Sequence, residues 1–124
     1  MSVIQELFVY GTLLTGEDQA GLLGQASRIP ATTRGTLWGL PAGYPALAGG
    51  HGVVHGELVT LADRRLLEIL DRYEGVDEGL YRRVRIDVLV GLRTQIAWAY
   101  RMENPRARGG RLLRSGRWRS LRNP

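Results

Sequence analysis

Glu74 is the acid best placed for proton transfer, because it closes an amphipathic run through Leu66, Leu67, Leu70 and Tyr73 just before Gly75. A carboxyl at the C-terminal end of a helix meets the negative end of the macrodipole. Partial burial beside Tyr73 and Tyr81 acts in the same direction, and both raise its proton affinity. A carboxyl tuned upward can take a proton and return it near neutral pH. The second group is Tyr10-Gly11-Thr12-Leu13. A strand that ends by turning through glycine leaves successive backbone N–H groups near the surface, a nest for an anion. Taken singly, a glutamate at a helix end is most often solvated, and Tyr-Gly is most often an ordinary strand-to-loop turn.

These groups lie 64 residues apart, so the elements between them must bring them together. Leu7 to Tyr10 reads as a short buried strand closed by Gly11, and a weak helical stretch follows from Asp18 to Gln25. Arg34 to Leu40 and Gly52 to Thr60 read as strands. Between them, Pro41 to Pro45 and the pair Gly49-Gly50 read as loop. Thr60 and Asp63 suggest a helix start with Thr60 as cap, and Gly75 supplies the stop. From Tyr81 the period becomes two: Val84, Ile86, Val88 and Val90 alternate with Arg83, Arg85 and Asp87. Gly91-Leu92 turns the chain into a returning strand on which Ile96, Trp98 and Tyr100 share a face, a predicted hairpin. Five short strands with glycine corners and one clear helix argue against a doubly wound sheet. They favour an α+β fold, a small mixed β-barrel with flanking helices.

Together the two segments, with Tyr81 seven residues after Glu74, resemble the γ-glutamylcyclotransferase family over most of Phe8 to Arg101. Gly43-Tyr44-Pro45-Ala46-Leu47 resembles that family's loop near the substrate, and Gly56-Glu57-Leu58 its following strand. The resemblance implies the same barrel, with Glu74 as general base and Tyr10, Gly11, Thr12 and Leu13 around the α-carboxylate of a γ-glutamyl group. Thr12 stands where serine also occurs. Tyr44 either borders the pocket or packs as a loop aromatic. Tyr81 either holds the carboxylate or substrate through its hydroxyl or marks a core edge. The implied reaction is cyclisation: the α-amine attacks the γ-carbonyl and yields 5-oxoproline and a free amine. It calls for a small-molecule γ-glutamyl substrate and for no cofactor or metal. The alternative is a non-catalytic member of the fold that binds a small amino-acid-like ligand.

Composition narrows the other classes. The 124 residues suit one domain, and the absence of cysteine excludes disulfides and thiolate chemistry. No apolar run has the length of a membrane span, and no export signal is evident, so a cytoplasmic protein is expected. His51 and His55 are four apart but have no third ligand nearby, and they read as surface histidines. The net charge of +5 is unevenly placed. Residues 1–105 carry ten arginines against all 12 acids, and residues 106–124 carry seven arginines and no acid. A cyclotransferase-like domain over 1–105 followed by an Arg-rich tail is therefore expected, with Trp118 as a docking contact and the tail contributing little to the chemistry. That tail and Trp118 could track a phosphate backbone, but no nucleic-acid-binding motif accompanies them and a nucleic-acid partner is not expected. Oligomeric state is left open.

Overall fold

Leu7-Phe8-Val9 is apolar without alternation, the pattern of a strand covered on both faces. In the computed structural model, which describes residues 4–17, 19–24 and 26–118, it lies in strand β1 (Glu6–Val9). Strands β2 (Ser27–Gly39) and β3 (Pro45–Thr60) follow, then helix α1 (Leu66–Tyr73), β4 (Arg82–Val90), β5 (Arg93–Arg101) and β6 (Arg111–Leu112). Three 3₁₀ turns lie at Ala20–Leu23, Val76–Glu78 and Pro105–Arg108. The first replaces the expected helical stretch, whose end residues Asp18 and Gln25 lie outside the described residues.

β1 pairs antiparallel with β3 and parallel with β5; β3 pairs with β2, β2 with β4, and β4 with β5. Five strands thus close on themselves, and the expected small barrel with a flanking helix is the fold observed. Alternation along β1 feeds two cores. Phe8 and Tyr10 point inward to Leu47, Val54, Leu58, Val88, Ala97 and Ala99. Leu7 and Val9 point outward, where Leu67 and Leu70 of α1 cover them.

Three local expectations change. Gly49-Gly50 is not loop but lies inside β3. Between the pairs Arg34–Val53 and Thr36–Ala48, four residues of β3 oppose Gly35 alone. Such a bulge bends a long strand sharply, which closing a five-stranded barrel requires. Thr60 does not cap a helix. It ends β3, and Leu61 N–H continues the ladder to Gln5 O at 2.9 Å, so α1 begins only at Leu66. The Asp63 carboxylate instead accepts Arg65 N–H at 2.9 Å. On β5, Ile96, Trp98 and Tyr100 share a face as expected, and it is the outer one; Ala97 and Ala99 fill the interior and Ile96 is 52% exposed.

The third change concerns the Arg-rich segment. β6 pairs with Trp38 and Gly39 of β2, and Leu113 N–H donates to Leu37 O at 2.7 Å. His55 N–H donates to Gly116 O at 2.8 Å, where the Val53 carbonyl leaves no room for a Cβ. Leu113 and Trp118 pack against the interior core. The chain is thus bound to the barrel as far as residue 118; Arg119 and Arg122 lie outside the described residues.

Candidate active site

β1 delivers Tyr10 to the open edge of the barrel, and the chain turns at once through Gly11. Leu14 N–H closes this turn onto Gly11 O at 2.9 Å, and Gln19 N–H donates to Thr12 O at 2.8 Å. Among the described residues, no acceptor meets the N–H groups of Gly11, Thr12 and Leu13. Glycine is required by close approach: a Cβ at position 11 would lie 2.5 Å from Pro45 Cγ.

Arg28 of β2 holds the turn from behind. Its Nη1 donates to Leu13 O at 2.7 Å and to Glu57 Oε1 at 2.9 Å, and Nη2 donates to Ala20 O at 3.1 Å. Glu57, in the Gly56-Glu57-Leu58 motif, also accepts from Thr15 N–H at 2.9 Å. One partly buried ion pair therefore fixes the course of the loop after Gly11.

Helix α1 approaches from the other side. Glu74 is its C-cap, with its N–H bonded to Leu70 O at 2.8 Å, and Gly75 at φ 68 turns the chain away. The preceding Tyr73 brings its hydroxyl within 3.1 Å of Thr12 Oγ1, so the two segments touch directly. They enclose a cavity of about 340 Å³. All seven residues singled out in the sequence line it: Tyr10, Gly11, Thr12, Leu13, Tyr44, Glu74 and Tyr81. Pro45, Tyr73, Leu80 and Tyr100 complete much of the wall.

Burial in this cavity raises the Glu74 carboxyl from its ordinary value of 4.5 to about 7. The neighbouring phenols are also held neutral. Burial pushes the Tyr10, Tyr81 and Tyr100 hydroxyls upward, and the Glu74 charge adds to the effect at each. Their protons are committed. Tyr10 donates to Tyr100 O at 2.6 Å, Tyr81 to Pro45 O at 2.5 Å and Tyr100 to Asp71 Oδ1 at 2.7 Å. Tyr81 therefore anchors the Pro45 loop rather than donating to Glu74. Tyr44 both lines the cavity and packs on Tyr81, ring centroids 6.4 Å apart.

Tyr73 and Tyr100 were not singled out as site residues. Tyr73 was read as part of the apolar face of α1 and as cover for Glu74, and Tyr100 only as an alternating strand residue. Asp71 bridges Tyr100 and Arg83, accepting from Arg83 Nε at 2.7 Å, and so ties α1 to the β4–β5 hairpin. The spacing of Asp71 and Glu74, three apart on one helix, was the available signal. His51 is exposed and His55 partly buried, and no group of three potential metal ligands occurs among the described residues. No helix among them is long and apolar enough to cross a membrane.

Residues 7–120 match the family described as gamma-glutamyl cyclotransferase, AIG2-like. The chain belongs to this family. A protein of Vibrio cholerae serotype O1, described as "Putative gamma-glutamylcyclotransferase", is 39% identical over 118 residues, which is 90% of this chain and 93% of that one. Among solved structures, YkqA from Bacillus subtilis superposes with a TM-score of 0.74 at 27% identity. The match covers 94% of this chain but 40% of YkqA, so this chain spans less than half of that protein. A mouse AIG2-like protein, at 24% identity and a TM-score of 0.70 over 82% of this chain and 79% of its own, shares the fold. The family match runs through β6, so the matched region includes this segment.

Proposed function

We propose that the protein is a γ-glutamyl cyclotransferase releasing 5-oxoproline and a free amine, with Glu74 as general acid and base. The observation that carries this reading is the meeting of the raised Glu74 carboxyl and the Gly11 turn in one cavity. A γ-glutamyl compound contains its own nucleophile, so the protein has two tasks. It must fold the glutamyl arm and it must move a proton.

The Gly11–Leu13 N–H groups bind the α-carboxylate, which bends the arm so that its α-nitrogen faces the γ-carbonyl. Orientation of this kind is worth several kcal/mol. The α-ammonium has a pKa of roughly 8 or above, within reach of the raised Glu74 carboxylate for transfer. Glu74 takes this proton, the nitrogen closes the ring, Glu74 hands the proton to the departing nitrogen and then takes the ring nitrogen's second proton, which ends on the freed amine. Tyr10, Tyr81 and Tyr100, held neutral and already bonded, keep the wall rigid without competing for that proton. Tested on a panel of γ-glutamyl amines and dipeptides, the protein should release 5-oxoproline.

The base must be ionised, and its proton is retained until about pH 7. kcat/KM should therefore fall about tenfold per unit as pH drops below 7. A profile that is flat from about pH 5 to 8 would remove Glu74 from proton transfer.

Arg28→Ala strips a donor from Leu13 O and from Ala20 O, and leaves Glu57 without its cation. Loss of such a partly buried partner costs about 1–3 kcal/mol. Because Arg28 acts through the turn, KM should rise several-fold while kcat changes less. An unchanged KM would show that the turn keeps its shape unaided.

A further inference from the structure

A second cleft, of about 600 Å³, lies where the Val76–Glu78 and Pro105–Arg108 turns approach Arg82 and Arg101 at the ends of β4 and β5. Leu80 and Tyr81 form the wall between it and the cavity that holds Glu74. The cyclotransferase reading makes no use of this space.

Its charge is arranged at a cost. Arg82 and Arg101 are direct partners across the β4–β5 ladder, where like charges repel. Arg108 adds a third cation, and the lining offers one acid, Glu103, which lies 3.2 Å from Arg82. Two cations are left over. Among the described residues, neither Arg101 nor Arg108 makes a hydrogen bond, an ion pair or a ring contact. For Arg101 this is expensive, because its side chain is partly buried and a guanidinium carries five donors. The chain nevertheless makes room for it: a Cβ at Gly49 would lie 2.8 Å from Arg101 Nη2, so the guanidinium occupies space that only glycine leaves free. Arg108 is felt at the same wall. Burial dominates in raising the Tyr81 hydroxyl, and Arg108 pulls it the other way. Asp77 and Glu78 are exposed and do not line the cleft, and Arg106 is turned away over the Trp38 ring at 5.2 Å.

We infer that this cleft is a second binding site, for a small phosphate monoester whose phosphoryl group is held by Arg101 and Arg108. A phosphoryl group carries about −1.5 to −2 charges near neutral pH, which matches the two uncancelled cations. A single carboxylate would leave one of them unanswered. Guanidinium forks also suit phosphoryl oxygens, which they bind in pairs. Val76, Leu80 and Ala107 supply an apolar wall for a compact organic part. The exposed Leu89 and Leu92 stand at the opposite end of the β4–β5 hairpin, away from the cleft, which favours a free ester over a phospholipid surface. The site binds and no bond is made or broken there, so the inference stands apart from the chemistry at Glu74.

The test titrates the full chain with phenyl phosphate and with phenyl sulfate, which share a shape and differ by one charge, and follows the backbone amides by NMR. Phenyl phosphate should shift the amides of Arg82, Arg101 and Arg108. It should bind at least about threefold tighter than phenyl sulfate, and more weakly as salt rises. Arg101→Gln/Arg108→Gln should weaken its binding by about tenfold or more. Gly49→Ala, which crowds Arg101 and removes no charge, should weaken it several-fold. If the double variant does not fold, Arg108→Gln alone, at an exposed position, should still cost about threefold. Three results would each overturn the inference: no binding of phenyl phosphate or equal binding of the two probes, shifts confined to the Gly11, Thr12 and Leu13 amides of the other anion nest, or an affinity unmoved by the arginine variants. Each leaves the cyclotransferase reading to its own test, the release of 5-oxoproline.

Discussion

Glu74→Gln should reduce 5-oxoproline release by at least about 10²–10⁴-fold, the usual worth of general acid–base catalysis, and should at the same time stabilise the fold above neutral pH. The two effects share one cause. The cavity that lifts the carboxyl to about 7 disfavours its ionised form. The folded state then binds this proton more tightly than the unfolded chain, where the group titrates near 4.5. Below about pH 4.5 both states are protonated and no cost arises. Between 4.5 and 7 the cost grows, and above 7 it is complete, at most about 3 kcal/mol for a shift of this size. Glutamine keeps the shape and never ionises. A melt at pH 8 should therefore show a higher Tm for the variant, by up to about 10 °C, while the two proteins converge near pH 4.5. Near-normal turnover would remove Glu74 from the mechanism. A lower Tm at pH 8 would mean that the cavity solvates the carboxylate well and does not raise its pKa.

How much of this was legible in the sequence differs from part to part. The Gly11 turn and the C-terminal end of α1 are local features, set by a glycine and an amphipathic period, and both lie where the residues indicate. The sign of the Glu74 shift was also legible, though burial rather than the helix dipole is its cause. The β4–β5 hairpin follows from strict alternation around Gly91-Leu92. Alternation was less informative on β5, because Ala97 and Ala99 fill the interior while Trp98 and Tyr100 pack under α1. A strand covered on both faces does not reveal which one faces the barrel. Gly49-Gly50 misled for a related reason: glycines that usually mark a loop here serve a bulge, and only the register of two long strands distinguishes them. The bonds of Tyr73 and Tyr100 in the site were not legible, because their hydroxyls meet partners brought in from the turn after β1 and from α1, Thr12 and Asp71.

The Arg-rich segment is where charge concealed packing, and removing it should have the second large effect. Truncation after Gly109 deletes β6, whose two residues pair with Trp38 and Gly39, and the Leu113 bond to Leu37 O. It also uncovers His55 N–H, now bonded to Gly116 O, and strips Leu113 and Trp118 from the interior core. Two partly buried apolar side chains of this kind contribute about 2–4 kcal/mol, and the lost backbone bonds about 1 kcal/mol each. Against a typical domain stability of about 5–15 kcal/mol, that is a large fraction. The truncated chain should melt at least about 10 °C lower, or fail to accumulate as folded protein. Any loss of turnover should then track the folded fraction, because among the described residues none of those deleted lines the 340 Å³ cavity. Arg111→Ser/Arg114→Ser, which removes charge but keeps β6 and Leu113, should melt within a few degrees of the wild type. If the truncated chain kept the wild-type Tm, β6 and Leu113 would add nothing to the stability of the barrel and the segment would be a tail after all. If the charge-only variant fell as far as the truncation, the arginines themselves, not the packing beneath them, would be holding this edge.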